Sequence, residues 1–236
     1  MAKPSPWLCF RAPGRRLWVR EGIQPSRSRD WPSWLAEGEE HLVEAARRAG
    51  TELGHGRGAA RRVMVDGRFG VWRRNRHGGL LGNWFGDRYR NAIRLEAEME
   101  VSEKLRAEGI DTPAILLAYA HRNGLFWRQH LVTEEVAEAE TVFAARKQPA
   151  ALQAAAELLE KLFASGLWAT DLHPGNLLWQ NRAGRCWLID LAGSRFLGRP
   201  LKASEITARR ARFARYFRKH GGEVPELFRP WLSVSF

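Results

Sequence analysis

What this chain of 236 residues lacks narrows the field first. Cysteine is nearly missing: Cys9 and Cys186 are the only two, and Cys186 falls in an apolar stretch expected to form a buried strand. Two such positions make no disulfide framework, so a reducing compartment is the simpler setting. No apolar run approaches the ~20 residues that cross a bilayer. The N-terminal stretch holds Pro4, Pro6 and several arginines, without the sustained apolar segment of a secretory signal. The expectation is a cytoplasmic protein, soluble or on a membrane surface. Acidic residues are short, 26 against 38 Lys and Arg, which leaves a net charge of +12. That balance favours a polyanionic partner (nucleic acid, anionic lipid or a phosphorylated substrate) without choosing among them. No internal repeat is visible. What is abundant is apolar residues, 44% of the chain with eleven Trp, enough for a globular core in one large domain or two small lobes.

One stretch carries chemistry. Thr170-Asp171-Leu172-His173-Pro174-Gly175-Asn176 runs into the apolar Leu177-Leu178-Trp179, and Cys186-Trp187-Leu188-Ile189 leads to Asp190-Leu191-Ala192-Gly193. An acid, an amide five positions on, and a second acid after an apolar run is a phosphoryl-transfer pattern. In the protein-kinase template the first Asp takes the proton of the acceptor hydroxyl, while the Asn and second Asp hold magnesium against the ATP phosphates. Asp171, Asn176 and Asp190 fit those roles in order and spacing. The plainer reading is a polar loop between buried strands, and Leu177 to Trp179 and Trp187 to Ile189 do read as strands about a turn at Asn181 to Gly184. Three carboxylate and amide groups in this pattern favour the chemical reading.

Upstream, Trp7, Trp18, Trp31 and Trp34 alternate with Arg11, Arg15, Arg16, Arg20, Arg27 and Arg29. Such a pattern either stacks on single-stranded bases or caps a small core with solvated arginines; the second is the commoner use. A short helix is expected from Glu39 to Ala49. Gly54 to Gly58 precede two strands joined by Asp66-Gly67, a strong hairpin signal. Glycines there let backbone N–H groups approach a phosphate. On the second strand Phe69, Val71 and Arg73 share a face. A helix from Asn91 to Glu108 places Ala92, Leu95, Met99, Ser102 and Leu105 inward, and Glu98 with them; an inward carboxylate needs a cation, and since a helix Glu pairs the strand cation in the kinase template, Arg73 is the expected partner. Ile115 to Ala120 and Leu125 to Val132 read as strands, followed at Val132 to Val136 by the position of a lobe hinge. Residues 150 to 165 form a helix. Ser204 to His220 form a basic one, which either meets an anionic membrane or packs its apolar stripe on the core.

Together, Val71-Trp72-Arg73-Arg74-Asn75-Arg76-His77-Gly78-Gly79-Leu80, Asp87-Arg88-Tyr89, Asp171 to Asn176 and Ile189-Asp190 resemble the bacterial lipopolysaccharide kinases over roughly residues 50 to 220. The nearest likeness is to members acting on 3-deoxy-D-manno-octulosonic acid (Kdo). The resemblance implies an α+β, two-lobed protein-kinase-like fold: an N-terminal extension over 1–50 partly packed on the N-lobe, an N-lobe over 51–132 with an antiparallel sheet and one helix, and a mainly helical C-lobe over 133–236 ending in the basic helix. It implies transfer of the ATP γ-phosphate, with Mg²⁺, to the 4-hydroxyl of Kdo on a lipid A precursor at the cytoplasmic face of the inner membrane. An inner-core heptose or another small molecule is the alternative acceptor. A basic nucleic-acid- or membrane-binding degenerate kinase fold is the non-enzymatic alternative, although no specific nucleic acid is expected. Carried over, Asp171 is the catalytic base and Asn176 and Asp190 are the metal ligands. Gly56, Arg57, Gly58, Arg73 and Glu98 serve the nucleotide. Three departures stand out: Ala169 where a His is common, His173 in place of Asn or Lys, and Leu191-Ala192-Gly193 in place of Phe-Gly. His173 is expected either to donate to the transferring phosphate or to pack the loop.

Overall fold

The structure, a computed structural model, describes residues 6–25, 30–49, 52–53, 60–75 and 86–232. The chain divides into two compact units, residues 1–96 with 114–135 and residues 97–113 with 136–236.

The first unit is a seven-stranded sheet with a helix on it. Its strands are β1 (Trp7–Ala12), β2 (Arg15–Arg20), β3 (Glu52–Leu53), β4 (Ala60–Val65), β5 (Arg68–Arg74), β6 (Ile115–Asn123) and β7 (Phe126–Glu134), and its helix is α1 (Trp31–Ala49). The order is β1-β2-β6-β7-β5-β4-β3 with every neighbour antiparallel. The alternation of side chains decides which face is covered: on β5, Gly70 and Trp72 are buried, while Val71 and Arg73 lie on the opposite, partly exposed face. Trp34, Leu42 and Ala46 of α1 pack with Leu17, Val19, Val63, Val65, Leu117 and Val132 of the sheet. Burying each such aliphatic chain is worth roughly 1.5–3 kcal/mol. The β4–β5 turn has positive φ at Asp66 (51°) and Gly67 (70°), the backbone that made Asp-Gly a hairpin signal.

The described residues among the first fifty belong to this unit and contribute to its core. β1 and β2 extend the sheet, Trp18 and Trp34 are buried, and Trp31 lies against Phe10 and Trp34 at 6.2 and 6.4 Å. These tryptophans pack; they do not form an open stacking surface. The helix starts at Trp31, eight residues before the expected start, with a kink at Glu37 (φ −129°, ψ 31°) that interrupts its apolar period.

Between α1 and the sheet sits a polar cluster. Glu39 Oε2 is 2.8 Å from His121 Nε2, 3.7 Å from Arg128 Nη1 and 3.9 Å from His130 Nε2, and Glu39 Oε1 accepts from Arg74 Nη2. Contact with His121, against the opposing effect of burial, holds the Glu39 carboxyl at about 2. Burial holds His130 at about 3, so this ring is neutral. The Trp72 indole N–H donates to His130 Nδ1 at 3.3 Å, which puts the ring's proton on Nε2. The ligand atoms of Glu39, His121 and His130 lie within 4.8 Å of one another, as in a metal site. The protonated Nε2 has no lone pair to give, however, and two guanidinium groups already balance the carboxylate. The cluster is a brace between helix and sheet.

Helix α2 (Ile93–Ala107) starts in the first unit and continues into the second. Leu95, Met99, Ser102 and Leu105 are buried as its period requires, and Glu98 is buried with them at 2% exposure. The second unit adds β8 (Ala139–Thr141), α3 (Pro149–Ala164), β9 (Leu167–Trp168), β10 (Leu177–Gln180), β11 (Arg185–Leu188), β12 (Arg195–Phe196) and α4 (Ala203–Lys219). Its strands form two small antiparallel ladders, β11-β10-β8 and β12-β9. α3 begins with Pro149 in its first turn, where a missing N–H costs nothing, and buries Leu152, Leu159 and Phe163. The apolar stripe of α4, Phe213, Ala214 and Phe217, is buried in the same core, where Phe217 stacks on Phe228 and Phe213 meets it edge-on. Both the α+β composition and the division into a sheet-rich and a helix-rich part match the expected fold class.

Candidate active site

Two loops define the site. Residues 169–176 join β9 to β10, and residues 189–194 join β11 to β12. β9 pairs with β12 (Trp168 opposite Arg195) and β10 pairs with β11 (Leu177 opposite Leu188), so the loops are fastened to each other at both ends. Two bonds cross between them: the Ile189 N–H donates to the Asn176 carbonyl at 3.0 Å, and Thr170 Oγ1 donates to the Gly193 carbonyl at 2.6 Å. Asp171, Asn176 and Asp190 are thereby brought onto one pair of loops. Asn176 Nδ2 donates to the backbone carbonyl of Asp171 at 2.9 Å, which leaves its Oδ1 as the acceptor. Asp190 has φ +56°, a left-handed backbone that a non-glycine residue adopts at a cost of about 1–3 kcal/mol. Its Oδ1 accepts from the Ala192 N–H at 3.4 Å.

Asp171 is half-exposed and flanked by two cations or cation-forming groups. Arg212 Nη2 lies 3.0 Å from Oδ1, and His173 Nε2 lies 3.6 Å from Oδ2. His173 Nδ1 accepts from the Gly175 N–H at 3.1 Å, so the proton of the neutral ring sits on Nε2, on the Asp171 side. Contact with His173, and then the charge of Arg212, hold the Asp171 carboxyl below its ordinary range. His173 thus faces the carboxylate and is fixed from behind: its ring stacks on Tyr216 at 4.3 Å and 9°. Gly175 permits that approach, since a Cβ there would sit 2.7 Å from Tyr216 Oη.

Tyr216 and Arg212 both belong to α4, and so does Arg209, three residues before Arg212. Arg209 is buried, donates from Nη1 to the Ala169 carbonyl at 3.0 Å and lies 3.8 Å over the Trp168 ring. One helix face therefore touches the loop at Ala169, Asp171 and His173. Ala169 stands where kinases often have a His; here a guanidinium from another element secures that stretch of backbone. Sequence reading recognised these arginines as a basic helix and missed their target. The signal was present as the spacing Arg209, Arg212, Tyr216, which shares a face.

Of the other residues singled out by sequence, some fall outside the described residues and the rest belong to other elements. Gly56, Arg57 and Gly58, and the Gly78-Gly79-Leu80 segment, lie outside the described residues. Arg73, on β5 of the first unit, donates to Asn75 Oδ1 at 2.7 Å. Glu98 lies in the second unit. Asp87 pairs with Arg74 and Arg128, each at 3.3 Å, and buried Tyr89 exchanges backbone bonds with Trp127 at 2.9 and 2.7 Å. In the expected hinge, the Glu134 N–H donates to the Ala114 carbonyl and the Glu135 N–H to that of Phe69. The chain crosses from one unit to the other between Glu135 and Val136.

Paired loops with this Asp, Asn and Asp, in a chain that also has an antiparallel-sheet unit, point to a kinase-like protein. A family model, the lipopolysaccharide kinase (Kdo/WaaP) family, matches residues 42–215, and the chain belongs to that family. Two relatives, the 3-deoxy-D-manno-octulosonic acid kinases of Vibrio vulnificus strains CMCP6 and YJ016, are each 32% identical over 143 residues, 57% of this chain and 60% of theirs. The match thus spans about three fifths of the length of those curated relatives. Among solved structures, WaaP in complex with acyl carrier protein superposes with a TM-score of 0.53 at 15% identity, covering 89% of this chain and 85% of that one. That likeness is one of fold.

Proposed function

We propose that the protein is an ATP-dependent sugar kinase that phosphorylates the lipopolysaccharide inner core, with the 4-hydroxyl of Kdo on a lipid A precursor as acceptor. The observation that carries this reading is the pair of loops stitched together around Asp171, Asn176 and Asp190. Asp171 is the base: its carboxylate receives the proton of the acceptor hydroxyl, and His173 and Tyr216 hold its orientation. The donors of Asn176 and Asp190 are both oxygens, the set that suits magnesium. Asn176 is turned the right way for it, because its amide nitrogen is already engaged by Asp171. Bound Mg²⁺ and ATP supply charge neutralisation and the phosphoryl group. By the family resemblance Arg73, with Glu98 as its partner, and Gly56, Arg57 and Gly58 would serve the nucleotide. A lipid acceptor places the protein on the cytoplasmic face of the inner membrane, with the exposed arginines of α4 toward anionic lipid.

The test is incubation with labelled ATP, Mg²⁺ and Kdo-bearing lipid A precursor. Wild type labels the lipid, and Asp171→Asn labels it about 10²- to 10⁴-fold more slowly. No label in this lipid but label in heptosylated core would move the acceptor to a heptose; label in neither sinks the kinase reading. Glu98→Gln depresses transfer far more than Glu96→Gln, since Glu98 is buried whereas Glu96 is a partly exposed partner of Arg16. Equal losses would remove the Arg73–Glu98 pair.

A further inference from the structure

We propose that Arg212 is the specificity residue for an acidic acceptor: its guanidinium binds the carboxylate of the sugar whose hydroxyl faces Asp171. The inference rests on the kinase reading above and names the chemical group that this site selects.

Three observations carry it. Arg212 is not needed to hold the loop. Arg209 already secures Ala169 and Tyr216 already clamps His173, one on each side, and both are packed, whereas the Arg212 side chain is 51% exposed. Arg212 also sits where a base is ill served by a permanent partner. A guanidinium 3.0 Å from Oδ1 occupies a carboxylate oxygen that an acceptor hydroxyl has to reach. A contact of that kind suits the protein without acceptor and has to loosen when a hydroxyl takes its place. Finally, an acidic sugar brings a second carboxylate up to Asp171. Two carboxylates at such range repel unless a cation lies between them, and Arg212, 3.0 Å from Asp171 and half-exposed, is the cation at hand. Its planar fork of N–H donors can leave Asp171 for the incoming carboxylate and engage it in a bidentate pair. The exchange frees the base as the correct substrate arrives. A neutral sugar leaves Arg212 on Asp171 and the base occupied.

The experiment compares wild type, Arg212→Gln and Arg212→Lys on Kdo-bearing lipid A precursor and on the same lipid with its Kdo carboxylate converted to the methyl ester. In wild type the ester raises KM about 10- to 100-fold, the loss expected for one charge-assisted pair. In Arg212→Gln the preference for the acid is lost or reversed, with the ester near its wild-type KM and the acid raised to that value or above it, and Arg212→Lys restores part of the preference for the acid. The unfolding midpoint of Arg212→Gln, measured alongside, matches wild type. Equal KM for acid and ester in wild type, or an undiminished preference in Arg212→Gln, overturns the proposal and leaves the kinase reading intact. An Arg212→Gln variant that loses only kcat, and equally for both acceptors, assigns Arg212 to positioning Asp171 and also overturns it. No transfer to either lipid by wild type removes the kinase reading itself, and the proposal falls with it.

Discussion

His130 and Glu39 give the first unit a dependence on pH that can be worked out residue by residue. Folded His130 stays neutral to about pH 3, whereas the unfolded imidazole takes up its proton near 6.5. Between those values the unfolded chain binds the extra proton, so stability falls as pH drops through 6.5, by about 2 kcal/mol at pH 5. Glu39 adds to this lower down. Its carboxyl is held at about 2 against an ordinary 4.5, so its contribution is complete above 4.5 and is lost as pH falls from there toward 2. Thermal unfolding followed from pH 7 to 5 is expected to show a falling midpoint in wild type and a flatter line in His130→Asn. Parallel lines for the two proteins would mean that His130 is not the titrating group. Of the two roles expected for His173, donation to phosphate and packing of the loop, its bond from the Gly175 N–H and its stack on Tyr216 fit the second, with Nε2 turned toward Asp171.

At the scale of elements, α4 carries two separate duties on two faces. Phe213 is fully buried, and Phe213→Ala is expected to cost about 3–5 kcal/mol, read as a lowered denaturant midpoint with unchanged slope. The other face serves the loop. Tyr216→Phe keeps the ring stacked on His173 and should retain wild-type kcat, whereas Tyr216→Ala should lower kcat about tenfold with little change in KM for ATP; similar values for both variants would show that the stack does not orient His173. The elements were legible where local chemistry decides them. Asp66-Gly67 demands positive φ, and the periods of α2 and α3 place Leu95, Met99, Leu152 and Phe163 inward. They were illegible where local chemistry is mixed. β1 and β2 are studded with arginines whose apolar face rests on residues such as Leu17 and Val19, and the kink at Glu37 hides the first turns of α1. The docking of α4 on residues 169–173 is a long-range event that no local period records.

For the whole molecule, a net charge of +12 and the exposed Arg215, Arg218 and Lys219 make salt-sensitive binding to anionic vesicles an expected property. Co-sedimentation should fall with added salt and in Arg215→Glu/Arg218→Glu; binding to neutral vesicles at the same level would show that charge does not drive it. The order Asp171, Asn176, Asp190 was readable because the spacing is local and the strands about it are apolar. Arg209, Arg212 and Tyr216 were visible only as a basic helix, because the fold supplies their partners. The central claim is that the paired loops divide their labour, with Asp171 for the proton and Asn176 and Asp190 for the metal. Calorimetric titration of Mg·ATP into wild type, Asp171→Asn and Asp190→Asn tests it most directly. The account predicts wild-type affinity in Asp171→Asn, which fails only in transfer, and a lost magnesium-dependent gain in affinity in Asp190→Asn. Magnesium-dependent binding that survives in Asp190→Asn but vanishes in Asp171→Asn would contradict it.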